Sequence, residues 1–201
     1  MVKQMSFRED IAGYVLTKFS RSNGRKRSQL SIGRSIEESS GVLLCLPEDG
    51  NQFRIARYVF KGILESAVSN RITLIIHENV EADFRMKSGA RKIVIKDTDL
   101  GFWKIPKSSW IKEQGFSTYD LVVDLNTNYR LYAAYLSKKL GDGLIIGFAW
   151  DGAEEFYNVL LEMKGVKSSL ENIYRTIRDE YTNLIPLEHL DLSGRADGHN
   201  Q

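Results

Sequence analysis

Short apolar runs alternate along this chain with stretches in which apolar residues recur every three or four positions. The runs predict β-strands over residues 41–46, 71–76, 92–96, 119–125 and 143–148. The intervening stretches predict helices over residues 53–68, 81–87 and 129–139, and one helical turn within 99–115. Continuous apolar runs are typical of strands buried on both faces. We therefore expect an α/β fold, Rossmann-like and doubly wound, with a mostly parallel sheet of five strands or slightly more.

An amphipathic segment precedes this body. Ser6 and Glu9 have the capping-box spacing. An apolar stripe with helical spacing follows, made of Phe7, Ile11, Tyr14, Val15 and Phe19. We assign this helix and the linker after it to residues 1–35.

A second amphipathic segment follows the predicted strands. Residues 156–163 are a short apolar segment, and Ser168 with Glu171 then repeats the capping-box spacing. The inward residues of the predicted helix are Leu170, Ile173, Tyr174, Ile177 and Tyr181. Periodicity is lost over residues 186–201, which predicts a flexible tail. The single folded domain is thus expected to span residues 36–185.

The composition argues against several classes of protein: nucleic-acid-binding, disulfide-stabilised, metal-binding and membrane-spanning. The 201 residues carry 28 Lys+Arg against 26 Asp+Glu, so no overall field attracts nucleic acid, and we expect none as a partner. The single cysteine, Cys45, excludes an internal disulfide and fits a reducing compartment. It and His77, His189 and His199 show no metal-ligand spacing. With no apolar run long enough to span a bilayer, we expect a cytoplasmic protein without metal or cofactor.

One segment is strongly basic although the whole chain has nearly balanced charge. Residues 21–34 contain no acid and five basic side chains: Arg21, Arg25, Lys26, Arg27 and Arg34. One interpretation is contact with phosphates or with an anionic membrane surface, which would place the protein at the inner membrane face. The other, which we favour, is a solvated linker.

Polar residues gather where the predicted strands end. Ligands of open α/β sheets bind outside the carboxyl ends of the strands. The ligand-binding candidates there are Asp49, Gly50, Asn51, Asp124, Asn126 and Trp150. The first loop has one glycine, whereas a dinucleotide fingerprint needs three, and no Gly-Lys-Ser/Thr follows as in a P-loop.

Each candidate also has a structural interpretation. Asp49 or Asn51 is either a base or polar ligand, or the N-cap of the next helix. Asp124 either touches ligand or caps the following turn through Asn126 or Asn128. His77 is a plausible acid–base group, because histidine is the residue type used most often for proton transfer, but a histidine without a Ser or Cys partner is more often structural. Asp49, Asn51 and His77 are therefore only weak catalytic candidates.

Three tryptophans are open to two interpretations. Trp103, Trp110 and Trp150 are the best candidates for an exposed surface or a pocket wall. Core packing is the commoner use of any single tryptophan.

The order of elements and three motifs resemble a known family. A Tyr-Asp-Leu-Val-Val-Asp-Leu strand at residues 119–125 precedes a helix of small and apolar residues at 132–136. A strand ending in Ile-Gly-Phe at 144–148 and Phe-Tyr-Asn at 156–158 complete the pattern. Residues 41–160 thus resemble the N-terminal, acceptor-side half of the heptosyltransferase-like glycosyltransferases, family 9.

The resemblance implies a GT-B architecture of two Rossmann-like domains, of which the second binds the nucleotide-sugar. The family's first loop carries Gly-Asp, with the Asp as proposed base for the acceptor hydroxyl. The matching position here is Asn51, whose amide takes no proton at neutral pH, unless Asp49 substitutes. From the length of 201 residues we also expect the donor domain to be missing.

Three functions follow as hypotheses. The first, which we favour, is a non-catalytic glycosyltransferase-like binding or assembly module. Self-association as a homo-oligomer, or a protein partner, would cover the apolar surface that the missing donor domain leaves exposed. A saccharide or another small molecule is a further possible ligand. The second is the acceptor-binding half of a split glycosyltransferase whose donor domain is a separate chain. The third is a peripheral module that contacts a membrane or nucleic acid weakly through residues 7–34.

Overall fold

Six parallel strands form a single sheet in the computed structural model, which describes residues 41–85, 87–163 and 169–182, without the side chains of 67, 68 and 180–182. The strands are β1 (Val42–Cys45), β2 (Ile72–His77), β3 (Arg91–Ile95), β4 (Tyr119–Asp124), β5 (Gly141–Phe148) and β6 (Val159–Leu161). Their order is β3-β2-β1-β4-β5-β6, and every neighbouring pair is parallel. This confirms the doubly wound, Rossmann-like α/β fold.

Five α-helices connect or follow these strands within the described ranges. They are α1 (Gly50–Leu64), α2 (Glu78–Glu81), α3 (Ser108–Glu113), α4 (Leu131–Leu140) and α5 (Leu170–Thr182). Short 3-10 helices cover Ala67–Arg71, Asp97–Asp99 and Ala153–Glu155.

Helices α1 and α2 begin earlier in the sequence than predicted. The prediction of a helix over 81–87 was wrong, because α2 begins directly after β2 and ends at Glu81. The side chain of His77 accepts a hydrogen bond from the Asn79 N–H and so starts the helix at Glu78. Similarly, α1 begins at Gly50 rather than at 53, because Asp49 caps it.

The sixth strand comes from the apolar segment at 156–163. Its three residues pair with the carboxyl half of β5, with Val159 opposite Ile146 and Leu161 opposite Phe148.

Helix α5, which follows β6, confirms the second predicted amphipathic helix. Tyr174 and Ile177 are buried, and the Ser169 hydroxyl accepts from the Asn172 N–H at its start.

Two layers of helices cover the sheet. Helices α1 and α5 contact each other and cover one face, where Phe53, Phe60 and Tyr174 are buried against the strands. Helix α4 and the segment that carries Trp110 cover the other face. Strand residues alternate between these two cores, so β1 and β2 are buried on both faces as their apolar runs predict.

Four predictions fall outside the described residues: the N-terminal helix, the linker with the basic residues of 21–34, the flexible tail at 186–201, and the domain limits at 35 and 185. Within the described ranges, no helix combines the length and apolar character that crossing a membrane requires.

Candidate functional site

The order of strands reverses between β1 and β4. From β1 the chain winds outward to β2 and β3, then returns to place β4 on the opposite side of β1. At such a switch point the two loops that follow the central strands diverge, and ligands of α/β sheets bind in the crevice between them. The loops after β1 and β4 therefore define the candidate site.

Side chains join these two loops directly. The Glu48 N–H donates to Asn126 Oδ1 at 3.0 Å, and the Thr127 N–H donates to Gln52 Oε1 at 3.4 Å. Arg130 Nε lies 2.8 Å from Glu48 Oε2, and both side chains of this ion pair are about three-quarters buried. We call Glu48, Gln52, Asn126, Thr127 and Arg130 the switch-point clamp. It holds the two loops in one relative position.

Asp124 lies beneath the clamp and is 1% exposed. Its Oδ1 accepts from the N–H of Asn126 at 3.0 Å and from Asn126 Nδ2 at 2.7 Å. Its Oδ2 accepts from the Tyr157 hydroxyl at 2.7 Å. Burial raises the pKa of the Asp124 carboxyl, and the hydrogen bonds from Asn126 and Tyr157 and the charge of Arg130 oppose that rise. Asp124 thus caps the turn through Asn126, as one of its two interpretations predicts.

Asp49 caps α1. Its Oδ1 accepts from the N–H groups of Asn51 and Gln52, both at 3.0 Å. The carboxylate therefore occupies the positive end of this helix, where a nucleotide phosphate would bind in a dinucleotide-binding fold. Gly50 is the first residue of the helix, and Asn51 is exposed.

His77 is buried at the end of β2. Its Nδ1 accepts a hydrogen bond from the Asn79 N–H at 3.3 Å. The ring lies 5.7 Å from that of Tyr132, and the side chain is 3% exposed. His77 thus serves as the cap of α2.

Helix α4 begins at the same edge of the sheet as α1 and α2, but no side chain caps it. Arg130 is its N-cap residue but forms no side-chain capping bond, and the first turn holds no acid. The next residue but one, Tyr132, is 4% exposed, and its hydroxyl has no hydrogen-bond partner among the described residues. Burial raises the pKa of Tyr132 well above its ordinary value, and the nearby charges of Glu48 and Asp124 raise it further.

Aromatic rings flank the site on the β5 side. The Trp150 ring lies 4.1 Å from Tyr129, 5.6 Å from Phe156 and 6.3 Å from Tyr157. Trp150 is half-buried in this cluster. The other two tryptophans lie elsewhere, since Trp110 is buried in the core and Trp103 is 42% exposed on a separate loop.

Cys45 behaves as a small apolar residue. It is fully buried in β1, and burial followed by the charge of Asp124 raises the pKa of its thiol well above the usual value. Among the described residues, no group of three or more His, Cys, Asp or Glu side chains could hold a metal ion.

The structure brings together part of the predicted set. Asp49, Asn51, Asp124 and Asn126 lie on the two loops of the switch point, whereas His77 lies one strand away. Sequence reasoning missed Glu48, Arg130, Tyr132 and Tyr157 as members of the site. A basic residue just before the helix that follows a buried strand was the available signal for Arg130. Nothing in the local pattern indicated its partner.

No protein-family model, curated protein or solved structure matches this chain. The likeness to the glycosyltransferases therefore stays a prediction drawn from the motifs.

Proposed function

We propose that this protein is a non-catalytic, glycosyltransferase-like domain that binds a ligand or partner at the carboxyl edge between β1 and β4. The observation that carries the proposal is the state of the first loop. Asn51, which matches the family's proposed base, is an exposed amide, and the neighbouring carboxylate of Asp49 is engaged as a helix cap.

Asp49 is poorly suited to replace the missing base. A general base must take up a proton, and protonation would weaken the two hydrogen bonds that Oδ1 accepts at the start of α1. The Asp49 carboxylate is therefore already engaged in stabilising the start of α1.

Asp124 is the other carboxylate at this edge, and it is out of reach. Three donor atoms from Asn126 and Tyr157 surround it, and only 1% of the residue is exposed. A base must lie within hydrogen-bond distance of the proton that it removes. A ligand would have to displace Tyr157 or Asn126 to reach Asp124.

The switch-point clamp supports a binding role. Its hydrogen bonds and its ion pair hold two loops that are free to diverge in a parallel sheet. A surface that is already ordered loses less conformational freedom when it binds. The clamp thus holds Arg130 and Glu48, each about three-quarters buried, beside the aromatic cluster of Trp150 in a fixed arrangement.

The proposal is tested by incubating the purified full chain with a panel of nucleotide-sugars, with and without saccharide acceptors, and measuring release of the nucleotide. We expect release at the rate of the protein-free blank. The Asp49→Ala variant is the control: release by the wild type that this variant loses would refute the non-catalytic role. Hydrogen exchange on the same samples reports binding, as slower exchange in the loops after β1 and β4.

A further inference from the structure

We propose that residues 101–104, on the loop that follows β3, contact the surface of an anionic lipid bilayer: Phe102 and Trp103 enter the interface, and neighbouring lysines bind the headgroups. We call residues 101–104 the aromatic turn. The proposal goes beyond the binding function of the edge between β1 and β4, because it concerns a different loop and a different class of partner.

Two neighbouring aromatic side chains are exposed at this turn. Phe102 is 65% exposed and Trp103 is 42% exposed, and their rings meet edge to face with centroids 5.0 Å apart. Adjoining exposed apolar side chains with polar neighbours mark interaction surfaces. Tryptophan in particular is enriched where a protein meets the boundary between bilayer and water. The pair therefore has the chemistry of a shallow membrane contact.

The aromatic turn is closed by its own backbone. The Lys104 N–H donates to the Gly101 carbonyl at 2.9 Å, and the Gly101 N–H donates to the Ile105 carbonyl at 2.8 Å. At the base of the loop, Leu100 and Pro106 are buried and form an antiparallel bridge. Backbone groups that leave water need partners within the protein. The bonds that close the turn already provide such partners, and the buried base holds the two rings at its tip.

The charge around the turn suits an anionic surface. Residues 100–112 contain no acid and three exposed lysines: Lys104, Lys107 and Lys112. The cytoplasmic leaflet of a membrane carries a negative surface potential that attracts basic side chains close to it. Aromatic rings and lysines together therefore give both an apolar and an electrostatic contribution to binding.

The lysines keep donors for lipid phosphates despite their contacts within the protein. Lys104 Nζ lies 2.9 Å from Asp97 Oδ1 in an ion pair whose side chains are 50% and 59% exposed. Lys107 Nζ donates to the Thr98 carbonyl at 2.7 Å. An ammonium group has three N–H donors, so each lysine can also bind a headgroup. These contacts hold the two ammonium groups near the aromatic turn.

A bilayer fits the turn better than a protein partner does. A stable protein interface buries about 800 Å² on each side and takes in about 20–30 residues. The aromatic turn offers two large apolar side chains beside lysines, and lysine is depleted in the centre of protein interfaces. A bilayer surface needs only shallow insertion of apolar side chains with basic residues around them.

The test is cosedimentation of the purified full chain with vesicles of phosphatidylcholine alone or of an equimolar mixture with phosphatidylglycerol. We expect binding to the anionic vesicles. The double variant Phe102→Ala/Trp103→Ala should weaken it by about tenfold or more, because both apolar side chains are lost. Tyr58→Ala is the matched control: Tyr58 is 64% exposed on α1, which covers the opposite face of the sheet, and its loss should leave binding unchanged. Circular dichroism shows whether each variant is folded.

Tryptophan fluorescence locates the contact. Lipids brominated on their acyl chains should quench Trp103, whereas Trp110 is 6% exposed and is shielded in the core. Trp103→Phe keeps an apolar ring, so this variant should still bind the anionic vesicles but lose most of the quenching. Quenching that persists in Trp103→Phe would contradict the proposed contact.

The lysine contribution has its own pair of variants. Lys104→Gln should weaken binding about fivefold, the effect of one basic residue near an anionic surface. Lys61→Gln removes an exposed lysine from α1 and should have no effect. Binding should also fall between about 0.1 M and about 1 M salt, because the screening length shortens from about 10 to about 3 Å.

Four results would overturn the proposal. They are no binding to the anionic vesicles, equal binding to both kinds of vesicle, wild-type affinity in the double variant, and self-association without lipid that the double variant abolishes. The third result would assign the membrane contact to another segment, such as residues 7–34, and the fourth would assign the aromatic turn to a contact between copies of the chain. The nucleotide-release assay is independent of all four.

Discussion

The hydroxyl of Tyr157 donates a 2.7 Å hydrogen bond to Asp124 Oδ2, across 33 positions of the sequence. The bond joins the segment before β6 to the end of β4. Beneath the Tyr157 ring lies Gly147 of β5, where a Cβ would come within 2.6 Å of three ring carbons. The ring thus reaches Asp124 only because the strand between them lacks a side chain at this position.

Tyr157→Phe should lower the free energy of unfolding by about 1–3 kcal/mol, since it leaves a buried carboxylate with one donor fewer. Urea denaturation measures the change. Tyr119→Phe is the matched control, because the Tyr119 hydroxyl donates to the neutral hydroxyl of Thr73 at 3.1 Å. Its loss should be smaller, about 1 kcal/mol. An equal loss in both variants would show that the charge of Asp124 adds nothing to the first bond.

Gly147→Ala should destabilise the fold by about 1–3 kcal/mol, because the new methyl group overlaps the Tyr157 ring and forces it to move. Gly62→Ala is the control. Gly62 lies in α1 with no atom within 4 Å of the added Cβ, so alanine should stabilise the helix by about 0.5–1 kcal/mol. Thermal and urea unfolding compare the two. A Gly147→Ala protein as stable as the wild type would contradict the packing described for Tyr157.

Stability should fall with rising pH through the range in which Asp124 titrates. Burial raises the pKa of its carboxyl above the ordinary value of 3.8, so the folded state binds more protons than the unfolded chain between that value and the raised one. The free energy of unfolding therefore decreases as pH rises through this window. Asp124→Asn carries no titratable group there, and the difference between the two urea series isolates the contribution. If the wild type instead gained stability relative to Asp124→Asn as the pH rises, the raised pKa of Asp124 would be contradicted.

The ion pair of the clamp should show a coupling of about 0.5–1 kcal/mol in a double-mutant cycle of Glu48→Gln and Arg130→Gln, at the upper end for pairs near a surface. The reference is the exposed α5 pair of Glu171 and Arg175, whose side chains are 42% and 38% exposed. Its coupling should be about 0.3–0.5 kcal/mol, the range for pairs one helical turn apart. If the two couplings are equal, the clamp gains nothing from partial burial.

Asp49→Ala should cost about 0.5–2 kcal/mol of stability, because two N–H groups of α1 lose their acceptor. Asp49→Asn keeps an acceptor oxygen and should cost less. Unfolding of both variants in urea tests the cap, and equal losses would show that the charge, not the hydrogen bonds, stabilises the helix.

The strands and most helices could be predicted because each depends on local pattern. Strands β1 and β2 are buried at every position and mostly apolar, as burial on both faces requires, and α1 and α5 show apolar positions at helical spacing. The errors lie where a side chain from outside the periodic segment decides the boundary. His77 starts α2 three residues early, although nothing in the apolar pattern marks it as a cap.

In the candidate site, likewise, the local contacts could be predicted from the sequence and the long-range contacts could not. The caps at Asp49 and Asp124 were predictable, because each carboxylate bonds to backbone groups two or three residues away. The partners Tyr157 of Asp124 and Arg130 of Glu48 were not, because parallel strands must be joined by long crossovers, and the pairing of their loops depends on strand order. The sequence alone determined the alternation of strands and helices and the local caps. Only the tertiary structure decided which loops meet, because the reversal of strand order between β1 and β4 sets distant residues side by side.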